Sequence, residues 1–172
     1  MAKTGYVHVY TGNGKGKTTA AMGLALRAAG AGLKVCIIQF VKGRRTSESL
    51  AFEKLKNVTF EQFGAFRFIT GQPSVNDMAR GARALREARF AVIDGGFDLV
   101  VLDESISAVN LQVITEIDLL DLVANRARKV ELVLTGRNAS AALIGMADLV
   151  TEMRDVKHYF VAGVKARKGI EM

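Results

Sequence analysis

Thr11-Gly12-Asn13-Gly14-Lys15-Gly16-Lys17-Thr18-Thr19 decides how the rest of this 172-residue chain is read. The stretch follows an apolar run, Tyr6-Val7-His8-Val9-Tyr10, and leads into an alanine-rich one, Ala20 to Leu26. Strand, glycine loop and helix in that order are the setting of a phosphate-binding P-loop. Successive backbone N–H groups of such a loop cradle phosphate oxygens, and the helix N-terminus adds the positive end of its dipole. Gly12, Asn13, Gly14, Lys15, Gly16, Lys17, Thr18 and Thr19 are therefore the candidate nucleotide-binding residues. Lys17 would give the phosphates a point charge, and the Thr18 hydroxyl would reach Mg²⁺. The usual pattern, G-x-x-x-x-G-K-[ST], has glycine where this chain has Thr11; Gly12 and Gly14 still supply two positions free to take positive φ. A glycine-rich turn with an incidental Gly-Lys-Thr is the bland alternative. The order of the flanking elements argues against it, and the expected ligand is a nucleoside triphosphate.

Outward from this loop the chain alternates between strand-like and helix-like runs. Strands are expected at 5–11, 34–40, 57–63, 97–103, 129–135 and 148–154, and helices at 17–30, 48–56, 75–94, 113–127 and 139–146. Gly64 to Asn76, with the only proline, Pro73, reads as irregular, and the segment from Asp155 onward has no assignment. Met78, Ala82, Leu85, Ala88 and Val92 recur at helical spacing in the third helix. Alternating β and α units imply an α/β fold with a mostly parallel sheet and helices on both faces. Ligands of such sheets sit at the carboxyl ends of the strands. The length suits one domain, residues 1–172.

Composition narrows the partners. The chain is 49% apolar, enough for a full core, and its single cysteine, Cys36, rules out an internal disulfide framework and a CxxC metal site. Cys36 falls in an apolar strand and reads as an inert core thiol. No leader is visible and no apolar run approaches the ~20 residues that cross a bilayer, so a cytoplasmic protein with no membrane partner is expected. The net charge of +7 fits nucleic acid or a site for an anionic triphosphate. Arg80, Arg83, Arg86 and Arg89 are spaced three apart, as on a solvated helix face, and no aromatic stacking motif accompanies them. No nucleic-acid partner is expected.

Val100-Val101-Leu102-Asp103-Glu104 is the second strong signal: an apolar strand ending in two carboxylates, the form of a Walker B element. A carboxylate there lies near a P-loop and can hold Mg²⁺ directly or through water. The other reading is a helix N-cap, and spacing does not decide between Asp103 and Glu104 as the metal ligand. Thr135-Gly136-Arg137 ends a later strand at the same edge, where Arg137 either reaches a phosphate or is a surface residue. Phe60, Phe63, Phe66 and Phe68 gather around the irregular stretch, as a ligand wall or as ordinary packing under a loop. His8 and His158 have no partners at metal-ligand spacing, and His8 reads as structural.

Taken together, several segments resemble the bacterial ATP:corrinoid adenosyltransferases of the cobalamin-biosynthesis type. They are Thr11 to Thr19, Gln39-Phe40-Val41-Lys42-Gly43, Val100 to Glu104, Leu134-Thr135-Gly136-Arg137, Ala147-Asp148, Val156-Lys157-His158 and Ala162 to Ile170, in the family's order along nearly the whole chain. Thr11 itself matches the family pattern. The resemblance implies a RecA-like P-loop NTPase fold, a homodimer, ATP as co-substrate with Mg²⁺, and a corrinoid as acceptor. The implied reaction moves the 5′-deoxyadenosyl group of ATP onto cobalt(I), with triphosphate leaving. Lys15, Lys17, the loop N–H groups and Mg²⁺ would stabilise that leaving group. Phe66 and Phe68 match the family's aromatic residues that displace the lower cobalt ligand, and an electron-donor flavoprotein is a further expected partner. Arg44 to Glu48 is compact where relatives carry a longer aromatic-containing loop, which implies a more open site. A P-loop ATPase or small-molecule kinase is the alternative; it would use Glu104 to position water or an acceptor hydroxyl.

Overall fold

The computed structural model describes residues 4–41, 43–65 and 69–171. The first strand, β1 (Val7–Thr11), runs into the glycine loop and then α1 (Lys17–Gly30). β2 (Val35–Gln39), α2 (Ser47–Phe52), β3 (Val58–Gln62), α3 (Val75–Ile93) and β4 (Leu99–Asp103) follow. Then come α4 (Ser105–Asn110), α5 (Glu116–Ala124), β5 (Glu131–Thr135), α6 (Ala141–Met146) and β6 (Leu149–Glu152). The strands form one sheet in the order β3-β2-β4-β5-β1-β6, and every neighbouring pair is parallel. This α/β arrangement is compatible with a RecA-like P-loop fold. Among the described residues no helix is long and apolar enough to cross a membrane.

β2 and β4 read as unbroken apolar runs up to their last residue because both of their faces are covered. Successive side chains on a strand point to opposite faces, and two cores result. On one face Ala21, Ala25 and Ala28 of α1, with Phe52 of α2, pack on Ile37, Val101 and Val133. The small alanine side chains let α1 lie close to the sheet, which holds its N-terminus at the end of β1. On the other face α3, α4, α5 and α6 cover Val9, Ile38, Val100, Leu102 and Leu134. β6 at the sheet edge is exposed along its length.

Two expectations need correction. The helix expected at 113–127 is shorter and is preceded by another. The chain turns through Gln112 at φ 57°, and α5 starts only after Thr115, whose hydroxyl accepts from the Asp118 N–H. Val113 and Ile114 are buried although they belong to the connection, because α3 approaches them at Gly81. A Cβ on Gly81 would lie 2.7 Å from the Val113 carbonyl oxygen. On α3, Gly81, Ala84, Leu85, Ala88 and Val92 are buried while Met78 and Ala82 are exposed. Arg80, Arg83 and Arg86 lie exposed on its outer side. His8 pairs with Glu131 at 2.6 Å, a contact between neighbouring strands that fits a structural role.

Candidate active site

The P-loop residues meet at the carboxyl end of the sheet. Gly12 and Gly16 take φ values of 95° and 125°, which an L side chain rarely adopts. Gly14 is needed for space: its N–H donates to the Met153 carbonyl at 2.6 Å, and a Cβ would stand 2.7 Å from the Arg154 backbone. Thr11, where the common pattern has glycine, is buried, and its hydroxyl accepts from the Ala139 N–H at 3.1 Å. That contact ties the P-loop to the segment after β5. Lys17 is 8% exposed, and its ammonium donates to the carbonyls of Gly12 (2.6 Å) and Gly14 (2.8 Å), spanning the loop. The first turn of α1 carries no acidic residue, so the positive end of the helix dipole is left to an anion.

Behind the loop lies Asp103, at the end of β4 and 0% exposed. Oδ1 accepts from the hydroxyls of Thr18 and Thr135, each at 2.8 Å, and Oδ2 accepts from Gln39 Nε2 at 2.8 Å. Glu104 comes next, in the left-handed region at φ 58°. The sharp turn sends the two carboxylates to different places. Asp103 stays under the loop, whereas Glu104 lines the cleft and accepts from the Ser107 hydroxyl. The Glu104 N–H donates to Thr135 Oγ1 at 2.9 Å, so that hydroxyl accepts from one carboxylate residue and donates to the other. A threonine hydroxyl next to a carboxylate is a hard oxygen donor set and fits Mg²⁺.

A cleft of about 980 Å³ opens in front of these groups. Asn13, Gly14, Lys15, Gly16, Lys17, Thr18, Thr19, Glu104 and Arg137 all border it, which brings together most of the residues singled out from sequence. Gly12 and Asp103 do not border it; Asp103 is fully buried and reaches the loop through the Thr18 hydroxyl. Phe66 and Phe68 lie outside the described residues. The remaining walls are Leu26 of α1, Phe52 of α2 and the segment after β6, including Phe160 and Ile170.

That last segment gave no signal of regular structure, and it forms none; it is a series of turns folded back over the P-loop. Lys15 donates to Tyr159 Oη at 3.0 Å and to Glu171 Oε1 at 2.9 Å, and Tyr159 also donates to Glu171. Arg167 stacks over the Tyr159 ring at 5.1 Å and pairs with Glu171. Arg167, Tyr159 and Lys15, in that order, hold the Glu171 carboxyl well below the usual carboxylate range. The Tyr159 hydrogen bond, then Glu171, raises the Lys15 ammonium. Sequence reasoning missed Gln39, Thr135, Tyr159 and Glu171 as site residues. For Gln39 a signal was available, since a glutamine closes an otherwise apolar central strand.

The loop, the buried aspartate and the parallel sheet define the class: this is a P-loop α/β protein. Comparison with known sequences narrows it. The family model described as "ATP:corrinoid adenosyltransferase BtuR/CobO/CobP" matches residues 3–172. A corrinoid adenosyltransferase of Pseudomonas aeruginosa is 39% identical over 171 residues, 97% of this chain and 83% of that protein. A corrinoid adenosyltransferase of Escherichia coli K12 is 35% identical over 167 residues, 97% of this chain and 85% of its own length. The Salmonella typhimurium corrinoid adenosyltransferase CobA is 34% identical over the same shares. The chain belongs to the ATP:corrinoid adenosyltransferase family.

Proposed function

We propose that this chain transfers the 5′-deoxyadenosyl group of ATP to the cobalt(I) of a reduced corrinoid. The family match along residues 3–172 carries the reading, and the P-loop geometry supports it. Cobalt(I) attacks C5′, the new bond is cobalt–carbon, and the C5′–oxygen bond breaks with its electron pair leaving on triphosphate. No proton changes hands, so the protein needs no general base. Its work is alignment and the stabilisation of a highly charged leaving group. Lys17 and the loop residues Asn13, Gly14, Gly16 and Thr18 border the cleft where that charge would develop, as do Lys15 and Arg137. Thr18 with Glu104, which lines the cleft, or with Asp103 beneath it would hold Mg²⁺, which supplies countercharge to the phosphates. Phe66 and Phe68 are assigned to the corrinoid side as an apolar wedge that excludes the lower cobalt ligand and water. The reading treats residues 1–172 as one cytoplasmic domain acting as a homodimer, with a flavoprotein as electron donor.

The test is turnover with ATP, Mg²⁺ and chemically reduced cob(I)alamin, followed by visible spectroscopy and analysis of the phosphate product. A light-sensitive adenosylated corrinoid together with tripolyphosphate is expected. ADP formed without regard to corrinoid would instead place the chain among ATPases or kinases. Phe66→Ala should spare turnover of cobalt(I) more than turnover that starts from cobalt(II); equal losses would remove the wedge.

A further inference from the structure

Glu104 stands in the left-handed region, at φ 58° and ψ 22°, directly after the fully buried β4. Glycine takes this conformation freely, whereas a residue with a Cβ keeps it only where its surroundings hold it there. Several contacts do so here. The Glu104 N–H donates to Thr135 Oγ1 at 2.9 Å, and the Glu104 carbonyl accepts from the Ala108 N–H at 2.9 Å. The carboxylate itself accepts from the Ser107 hydroxyl. Gly136 closes the arrangement from the other side: a Cβ there would lie 2.6 Å from the Ser107 nitrogen, so the end of β5 rests directly on the first turn of α4.

The direction of the contacts is fixed by what each group can do. A backbone N–H only donates, so Thr135 Oγ1 accepts from Glu104, and its single proton goes to Asp103 Oδ1, 2.8 Å away. Thr135 and Asp103 are both 0% exposed, and a hydrogen bond is stronger in such a place than in water. The buried aspartate thus orients the threonine, and the threonine holds the turn. The next residues of the same segment are tied to α4 as well, since Asn110 Nδ2 donates to the Arg137 carbonyl at 2.7 Å. Glu104, Arg137 and Thr18 all border the cleft, and Asp103 does not.

We propose that Thr135 is a positioning residue: backed by Asp103, it holds the Glu104 backbone in the turn that delivers the Glu104 carboxylate to the Mg²⁺–triphosphate side of the cleft. The proposal rests on the reading of Glu104, with Thr18, as the pair that faces Mg²⁺. A turn needed only for packing would be served by glycine at position 104, and a core position by valine at 135. The chain instead has a carboxylate in the strained place and a hydroxyl behind it.

The experiment titrates ATP into the full chain by calorimetry, with and without Mg²⁺, for the parent and for Glu104→Gln, Thr135→Val and Thr135→Ser. The ratio of the two affinities separates the metal's share from any general loosening. Glu104→Gln and Thr135→Val should each lose about tenfold of that ratio, the lower end of what partners of a metal ligand contribute, while binding of ATP alone is kept. Thr135→Ser keeps the hydroxyl and should restore the ratio to within about twofold of the parent, well inside that loss. A Thr135→Val ratio equal to the parent's, with Glu104→Gln impaired, would overturn the proposal and leave Glu104 facing the metal. An unaffected ratio in Glu104→Gln would remove that reading, and the proposal with it. Equal weakening of ATP with and without Mg²⁺ in Thr135→Val would reduce Thr135 to core packing. The titration contains no corrinoid, so failure of adenosyl transfer in the spectroscopic assay, with the ratios as expected, would remove the proposed reaction and leave the role of Thr135 standing.

Discussion

The end of the sheet around Asp103 and the segment after β6 both border the cleft, but they are held in opposite ways. Asp103 is fully buried, accepts hydrogen bonds from three side chains and sits on a central strand flanked by β2 and β5. The segment after β6 makes no strand or helix, exposes Val156 by 92% and Val161 by 88%, and is tied down through a polar knot at Lys15. Backbone with few buried apolar contacts opens at low free-energy cost. The P-loop and Asp103 are thus held by the sheet, whereas the segment after β6 is held over the cleft by polar contacts.

The most severe way to test this contrast is Lys17→Ala on the rigid side. Loss of one preorganised donor facing developing negative charge should lower kcat by about 10²–10³-fold, with weaker ATP binding seen by calorimetry. Asp103→Ala comes next. It strands the Gln39 amide and the Thr135 hydroxyl in a buried place, and each unmet polar group costs about 1–3 kcal/mol. Urea unfolding should show that loss as a lower midpoint with an unchanged slope.

Glu171→Ala probes the segment after β6 and should do much less. Exposed ion pairs contribute little, so ATP affinity should move by about fivefold or less, and the urea midpoint should stay where it is. The pH dependence has a definite sign. The folded-state pKa of Glu171 is lowered from 4.5, so the contact is fully present above that value and is lost only as pH falls below it. Protease susceptibility of the segment after β6 should therefore be flat between pH 7 and 5 and rise only under stronger acid. The smallest effect belongs to Cys36. Burial pushes its thiol up to about 12, so a thiol reagent at pH 8 should leave it unmodified until the chain unfolds. Rapid labelling of the native protein would mean that β2 is not the closed strand described here.

The helix boundary near residue 113 shows why legibility stopped where it did. Val113 and Ile114 look like the start of a helical stripe because burial, not helicity, selects apolar residues there. The capping pair Thr115 and Asp118 was the better signal. The Arg44 segment and the turns around Tyr159 were beyond reach for another reason: their partners are distant in sequence. Lys15 and Glu171 are separated by 156 positions and meet only once the chain is folded.

By itself the sequence determined the strand–loop–helix setting of residues 6–26, the parallel α/β class, the family, and the cluster of P-loop residues at one sheet edge. These rest on local spacing, on backbone freedom at Gly12 and Gly16, and on apolar period, all of which are properties of neighbours along the chain. Tertiary structure alone decided that Asp103 lies beneath the loop while Glu104 turns into the cleft. It also decided that Gln39 and Gln62 align with that aspartate and that Glu171 returns to Lys15. Strand order and register make those choices, because they set which side chains from distant segments come within hydrogen-bonding distance.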